Sequence, residues 1–150
     1  MTRKPEFSLI AAPSSDEAAL LGRAHAAARR SHSPYSKIRV GAALRTETGG
    51  IFDGTNVENS SYGLTICAER SAVAAAVAAG ERNFDLLAVF SSDVDRIVPC
   101  GACLQVLAEF CTDLRILLEA GSGEVFEASL SALLPVTFTF EGGRTGEDRG

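Results

Sequence analysis

The chain has no tryptophan, one methionine and only two histidines among its 150 residues. It also lacks an apolar run long enough to span a membrane. The opening stretch, MTRKPEFSLIAAPSS, holds basic residues but no apolar core of signal-peptide length. A cytoplasmic protein is therefore expected, with its four cysteines in a reducing compartment. There, metal binding or catalysis is the commoner use of thiols than a disulfide framework. Basic clusters are missing too: no basic run exceeds two residues, as at Arg29-Arg30, and the net charge is −5. A nucleic-acid binder normally carries a basic stripe that neutralises phosphates. The balance points to a small, weakly charged ligand and to neither nucleic acid nor membrane as partner. No internal repeat or linker is evident. With 46% apolar and 22% charged residues, the composition is that of one ordinary globular domain, able to bury a core without disulfides. The reading is a single domain over 1–150, with residues 1–13 and 141–150 as flexible ends.

What is present is a series of alternating elements. Ser14-x-x-Glu17 reads as a capping box, and Ala18, Leu21, Ala24, His25 and Ala28 recur at helical spacing, predicting a helix over about 15–30. Ile38, Val40, Ala42 and Leu44 alternate as in a strand, Thr48-Gly49-Gly50 turns, and Ile51–Val57 returns as a second strand. An alanine-rich helix over 67–79 ends at Gly80. Phe84–Phe90 is continuously apolar, as in a strand buried on both faces. A helix over about 100–111 follows Pro99, then strands at Leu114–Leu118 and Val125–Ala128. Ser129 is placed to cap a short last helix before Pro135. Alternation of this kind predicts an α/β layered sandwich, with parallel strands joined by crossovers.

Two of these helices open on cysteine. Cys67-Ala68-Glu69 begins one, and Pro99-Cys100-Gly101-Ala102-Cys103 begins the other. Cysteines three apart on a first helical turn can face one ion, and Cys67 can supply a third thiolate if the two helix N-termini meet. Zinc favours such ligands, and three protein ligands leave a position for water, the pattern of a catalytic site. Helix N-termini also favour thiolate. Three thiolates on Zn²⁺ leave an excess negative charge, which Arg70 can offset by donating hydrogen bonds to a ligand sulfur. Cys111 lies eight residues past Cys103, about 12 Å along a helix, too far to share the ion. It reads as a helix-face cysteine. Glu69 projects at a different angle from Cys67, so it is free to hydrogen-bond a metal-bound water as general base and acid. Competing readings are a thioredoxin-type Cys-x-x-Cys, which leaves Cys67 and Glu69 idle and lacks a nearby tryptophan, and unrelated buried cysteines. His25 on a helix face and His32 in a loop have no evident role.

The set Cys67-Ala68-Glu69-Arg70 with Pro99-Cys100-Gly101-Ala102-Cys103 resembles the zinc signature of the cytidine deaminases. Pro34-Tyr35-Ser36-Lys37, Val40-Gly41-Ala42-Ala43-Leu44, Asn56-Val57-Glu58-Asn59 and Leu133-Leu134-Pro135 with Phe138 extend the resemblance over about 20–138. It implies a three-layer α/β/α sandwich with a five-stranded mixed sheet. It also implies one zinc per subunit, and the small homotetrameric type with active sites at subunit contacts. By the same resemblance Asn56 and Glu58 bind ribose hydroxyls, the backbone at Ala68 and Cys100 holds the pyrimidine edge, and Tyr62 and Phe138 border the pocket. Two positions depart from the pattern. Ile38 stands where phenylalanine commonly covers the base, and Leu104 stands where arginine is usual. The implied reaction is hydrolytic deamination of free cytidine and deoxycytidine in pyrimidine salvage. A nucleoside-like antibiotic such as blasticidin S, or cytosine within nucleic acid, are alternative substrates. A non-enzymatic zinc module would need a fourth protein ligand.

Overall fold

Residues 7–140 are described in a computed structural model of the chain; the ends at 1–6 and 141–150, read above as flexible, lie outside them. Six strands form one sheet in the order β1-β6-β5-β4-β2-β3. Their ranges are β1 Ser8–Ile10, β2 Gly41–Thr46, β3 Ile51–Thr55, β4 Phe84–Phe90, β5 Arg115–Glu119 and β6 Val125–Ser129. The helices are α1 Ser15–Ala28, α2 Ala68–Ala78, α3 Gly101–Ala108 and the single turn α4 Leu130–Leu133.

Strand periodicity sorts the side chains into two cores. Ala43, Leu86, Ala88 and Leu117 face one side, where they meet Leu20, Leu21 and Ala24 of α1. Ala42, Leu44, Leu87, Val89, Ile116 and Leu118 face the other, against Ala72, Val73 and Ala76 of α2 and Leu104 and Leu107 of α3. The result is the expected α/β/α sandwich. Burying a large aliphatic side chain contributes about 1.5–3 kcal/mol, so the fully buried Leu44, Leu86, Leu87, Ile116 and Leu117 are main sources of stability.

One expectation needs correction and a second is narrowed. The sheet has six strands, not five. The sixth is Ser8–Ile10, inside the segment read as a flexible lead-in, and it pairs antiparallel with β6 through Leu9↔Phe126. Three residues carry too little alternation to announce a strand; the open edge of β6 supplies the order. The parallel, crossover-joined pairing expected from the alternation is confined to one strand pair, so the sheet is mixed, as the resemblance implied. Only β4 and β5 run parallel, while β2–β3, β2–β4, β5–β6 and β1–β6 are antiparallel.

Capping fixes the helix starts. Ser14 Oγ accepts from Glu17 N while Glu17 Oε2 accepts from Ser14 N at 2.8 Å, a complete capping box. Ser129 caps α4 through Ala132 N. Helix α3 stops at Ala108, so Cys111 lies beyond it rather than on its face. Its thiol donates to the Phe84 carbonyl at 3.5 Å, which accounts for it structurally.

Two glycines bring the helices down onto the sheet. A Cβ on Gly41 would lie 1.9 Å from Ala24 O of α1, and one on Gly54 would lie 2.1 Å from Ala68 O of α2. Only glycine permits these approaches, and the second sets the start of α2.

Candidate active site

Cys67 and Cys100 are the N-cap residues of α2 and α3, with extended backbones (ψ 155° and 162°) and no side-chain capping bond. A serine or aspartate there would turn back to its own helix. These thiols instead turn toward each other, with Cys67 Sγ 3.9 Å from Cys100 Sγ and Cys100 Sγ 3.5 Å from Cys103 Sγ. All three sulfurs lie within 4.8 Å of one another. Tetrahedral zinc held by thiolates at about 2.3 Å requires sulfurs about 3.8 Å apart, so the cluster fits that ion. Cys111 is outside it.

The surrounding groups favour an ionised Cys67. Cys67 is held down to about 5, chiefly by a hydrogen bond from Cys103 and further by Arg70 and Cys100, against the opposing effect of burial. Cys103, which is fully buried, is pushed up by its bond to that thiolate and by burial. Arg70 Nη2 donates to Cys67 Sγ at 3.6 Å and to the Thr65 carbonyl at 3.2 Å. Its Nε is buried and has no partner among the described residues.

Glu69 is 4% exposed. Burial raises its pKa above the usual carboxylate range, and the neighbouring Cys67 thiolate adds to this. A buried carboxyl beside a thiolate cluster can hold and release a proton nearer neutral pH than a solvated one. Ala68, between Cys67 and Glu69, is fully buried at the first position of α2.

A cavity of about 320 Å³ is lined by Tyr35, Ser36, Glu58, Tyr62 and Thr65. Tyr35 and Tyr62 meet edge to face, their centroids 5.6 Å apart. Thr65 links the cavity to the sulfurs through Arg70. Of the residues singled out in the sequence, Glu58 and Tyr62 line this cavity. Ile38 lies next to it along the chain but is not part of its wall. Phe138 is also absent from the wall: it is 74% exposed, and its backbone is held by Gln105, which donates to Phe138 O at 2.9 Å and accepts from Phe138 N at 3.1 Å.

Asn56 is placed differently from its expectation. Its side chain is buried and largely committed to the protein. Oδ1 accepts from Val40 N at 2.9 Å and from Ser31 Oγ, and Nδ2 donates to Ile38 O at 2.8 Å. One amide N–H remains for a ligand. These bonds also explain why β2 starts only at Gly41. Ile38 and Val40 bond to the Asn56 side chain, and Arg39 N, Nε and Nη2 all bond to Asp93. Residues 38–40 are thus an extended strap rather than strand. Tyr35, Ser36, Thr65 and Gln105 carried no assigned role in the sequence. The one available signal for the first two was their place in the Pro34–Lys37 segment.

A three-thiol metal cluster at paired helix N-termini, with a buried carboxyl and a cavity linked to it through Thr65 and Arg70, defines a candidate metallohydrolase centre on an α/β/α sandwich. The family model of the cytidine and deoxycytidylate deaminase zinc-binding region matches residues 14–118. A cytidine deaminase of Sporosarcina psychrophila is 43% identical over 123 residues, covering 81% of this chain and 90% of that protein. The crystal structure of cytidine deaminase from Burkholderia pseudomallei superposes with a TM-score of 0.77 at 45% identity, covering 81% of this chain and 98% of that one. A blasticidin-S deaminase of Bacillus cereus is more distant, at 32% identity over 69% of this chain and 79% of its own length. The chain belongs to the zinc-binding cytidine deaminase family.

Proposed function

We propose that the protein hydrolyses free cytidine and deoxycytidine to uridine and deoxyuridine, releasing ammonia, as a salvage enzyme of the cytoplasm. The observation that carries this reading is the buried Glu69 two residues from Cys67, at a sulfur cluster spaced for zinc. Cys67, Cys100 and Cys103 would hold one zinc per subunit, and the ion when bound makes a water acidic enough to serve as nucleophile near neutral pH. The residues of the chain supply the rest. Glu69 takes a proton from the attacking water and delivers it to N3 of the cytosine, which makes C4 electrophilic. The water oxygen adds to C4. Glu69 carries the second proton to the amino group, the C4–N bond breaks, and ammonia leaves. Burial raises the pKa of Glu69, which favours its holding the proton between the accepting and the donating step.

Backbone groups at Ala68 and Cys100 serve the pyrimidine edge, Ile38 covers its face, and Glu58 with the remaining N–H of Asn56 serves the ribose. Tyr62 and Phe138 are read as lining residues completed by neighbouring subunits of a homotetramer. Supporting this, Tyr62, Leu64, Val136, Phe138 and Phe140 are all at least 66% exposed, and isolated aromatics of that exposure are favoured interface residues. We read residues 1–150 as one domain, consistent with the single sheet that spans the described residues.

The test is an absorbance assay of zinc-loaded protein with cytidine, deoxycytidine, blasticidin S and a cytosine-containing single-stranded oligonucleotide. Turnover of the two nucleosides is expected. Turnover of the oligonucleotide or of blasticidin S alone would overturn the substrate assignment.

A further inference from the structure

Glu58 does not stand free at the cavity. Its Oε2 accepts from Tyr35 N at 2.8 Å and Ser36 N at 3.2 Å, and its Oε1 accepts from the Ser36 hydroxyl. A carboxylate has about four acceptor sites, so three are held by one short loop and the carboxyl plane is fixed. The Ser36 hydroxyl also accepts from Ile38 N at 3.0 Å. That contact depends on the bend at Lys37, whose φ of 64° lies in the left-handed region that a lysine rarely adopts. The hydroxyl oxygen is therefore shared between the acidic residue in the cavity wall and the backbone of Ile38 just outside it. Asn56 Nδ2 grips the carbonyl of the same Ile38, so the strap has little freedom to adjust on its own.

We infer that Ser36 is a positioning residue that sets selectivity for the ribose hydroxyls, by fixing the Glu58 carboxylate and tying it to the Ile38 backbone. This rests on the reading of Glu58 as the acceptor of those hydroxyls. Removing the Ser36 hydroxyl leaves Oε1 only the long 3.4 Å bond from Ser36 N, and the carboxylate can then turn about Oε2 out of register with the sugar. The same deletion leaves Ile38 N without its acceptor. That second effect acts at the base and so weighs equally on any cytosine nucleoside. The ratio of kcat/KM for cytidine to that for 2′,3′-dideoxycytidine, which lacks the two ring hydroxyls, isolates the first effect. Ser36 is exposed, so its truncation leaves the core intact.

The experiment measures that ratio for the zinc-loaded wild type, Ser36→Ala, Glu58→Ala and the double variant. Hydrogen bonds to a charged group are worth about tenfold or more in an equilibrium. Ser36→Ala is therefore expected to lower the ratio about tenfold through KM for cytidine, with kcat within about twofold. In the Glu58→Ala background the same change is expected to lower it no further. If Glu58→Ala lowers the ratio and Ser36→Ala does not, or if Ser36→Ala acts through kcat on both substrates alike, the Ser36 assignment is overturned and the ribose role of Glu58 stands. If Glu58→Ala leaves the ratio unchanged, the ribose role itself fails, and the inference about Ser36 falls with it.

Discussion

Arg70 touches both halves of the site. Through one nitrogen it contacts the Cys67 sulfur and the Thr65 carbonyl at the cavity wall, and its charge helps hold Cys67 ionised. Arg70→Ala is expected to lower zinc content, turnover or both, measured by metal analysis and steady-state assay; full zinc and an unchanged rate would contradict the role. Asn56 carries a structural load as well as a proposed binding one. Asn56→Ala strands the half-buried Val40 N–H and the Ile38 carbonyl, and losing such part-buried hydrogen bonds costs about 1 kcal/mol. A stability loss of at least that size by denaturant unfolding is expected, and none would contradict the strap assignment. The cysteines were legible at this scale because metal chemistry ties residue type to spacing. The committed state of Asn56 was not, because its partners at Ser31, Ile38 and Val40 are backbone groups and a hydroxyl that carry no distinctive signal. Ser36 went unassigned for a similar reason: one serine among many gains meaning only when Glu58, 22 residues away, folds onto it.

At the scale of elements, the start of α2 is set by contact with β3. Gly54→Ala would drive a Cβ into the Ala68 carbonyl, backbone against backbone. A loss of about 1–3 kcal/mol and weaker zinc retention are expected, and wild-type thermal stability would contradict the packing argument. The strap at 38–40 is joined to the loop before α3 by Arg39 and Asp93. Hydrogen bonds from Arg39 hold the Asp93 carboxyl well below the usual carboxylate range. Its folded pKa lies below the unfolded value of about 3.9. The contribution is therefore complete above that pH and is lost as the pH falls through the folded value. Wild type and Asp93→Asn are expected to differ in stability at neutral pH and to converge as the pH drops below about 4. A gap that stays constant into acid would contradict this. Helix limits were legible where caps announced them, as at Ser14 and Ser129. The beginning of β2 was not, since alternation at Ile38 and Val40 persists where side chains of Asn56 and Asp93 have replaced the strand ladder.

For the whole molecule, the order of elements and the two-faced burial of β4 and β5 followed from hydropathy alone. Beyond the β2–β3 hairpin, which the Thr48-Gly49-Gly50 turn announces, the strand directions did not, because a buried strand has the same composition whichever way it runs. The edge strand β1 was equally silent, since its pairing belongs to β6. The exposed aromatics at Tyr62, Phe138 and Phe140 make assembly a property to measure on the intact protein. Sedimentation at micromolar concentration is expected to give a tetramer that Phe138→Glu weakens, and a wild-type monomer with full activity would contradict the shared-site reading. The central claim is that Glu69 moves protons at a site whose metal is held by other residues. It is tested most directly by comparing zinc content and kcat of wild type and Glu69→Ala on cytidine. Retained zinc with a fall in kcat of at least about 10²–10⁴-fold is expected; retained zinc with near-wild-type turnover would contradict it.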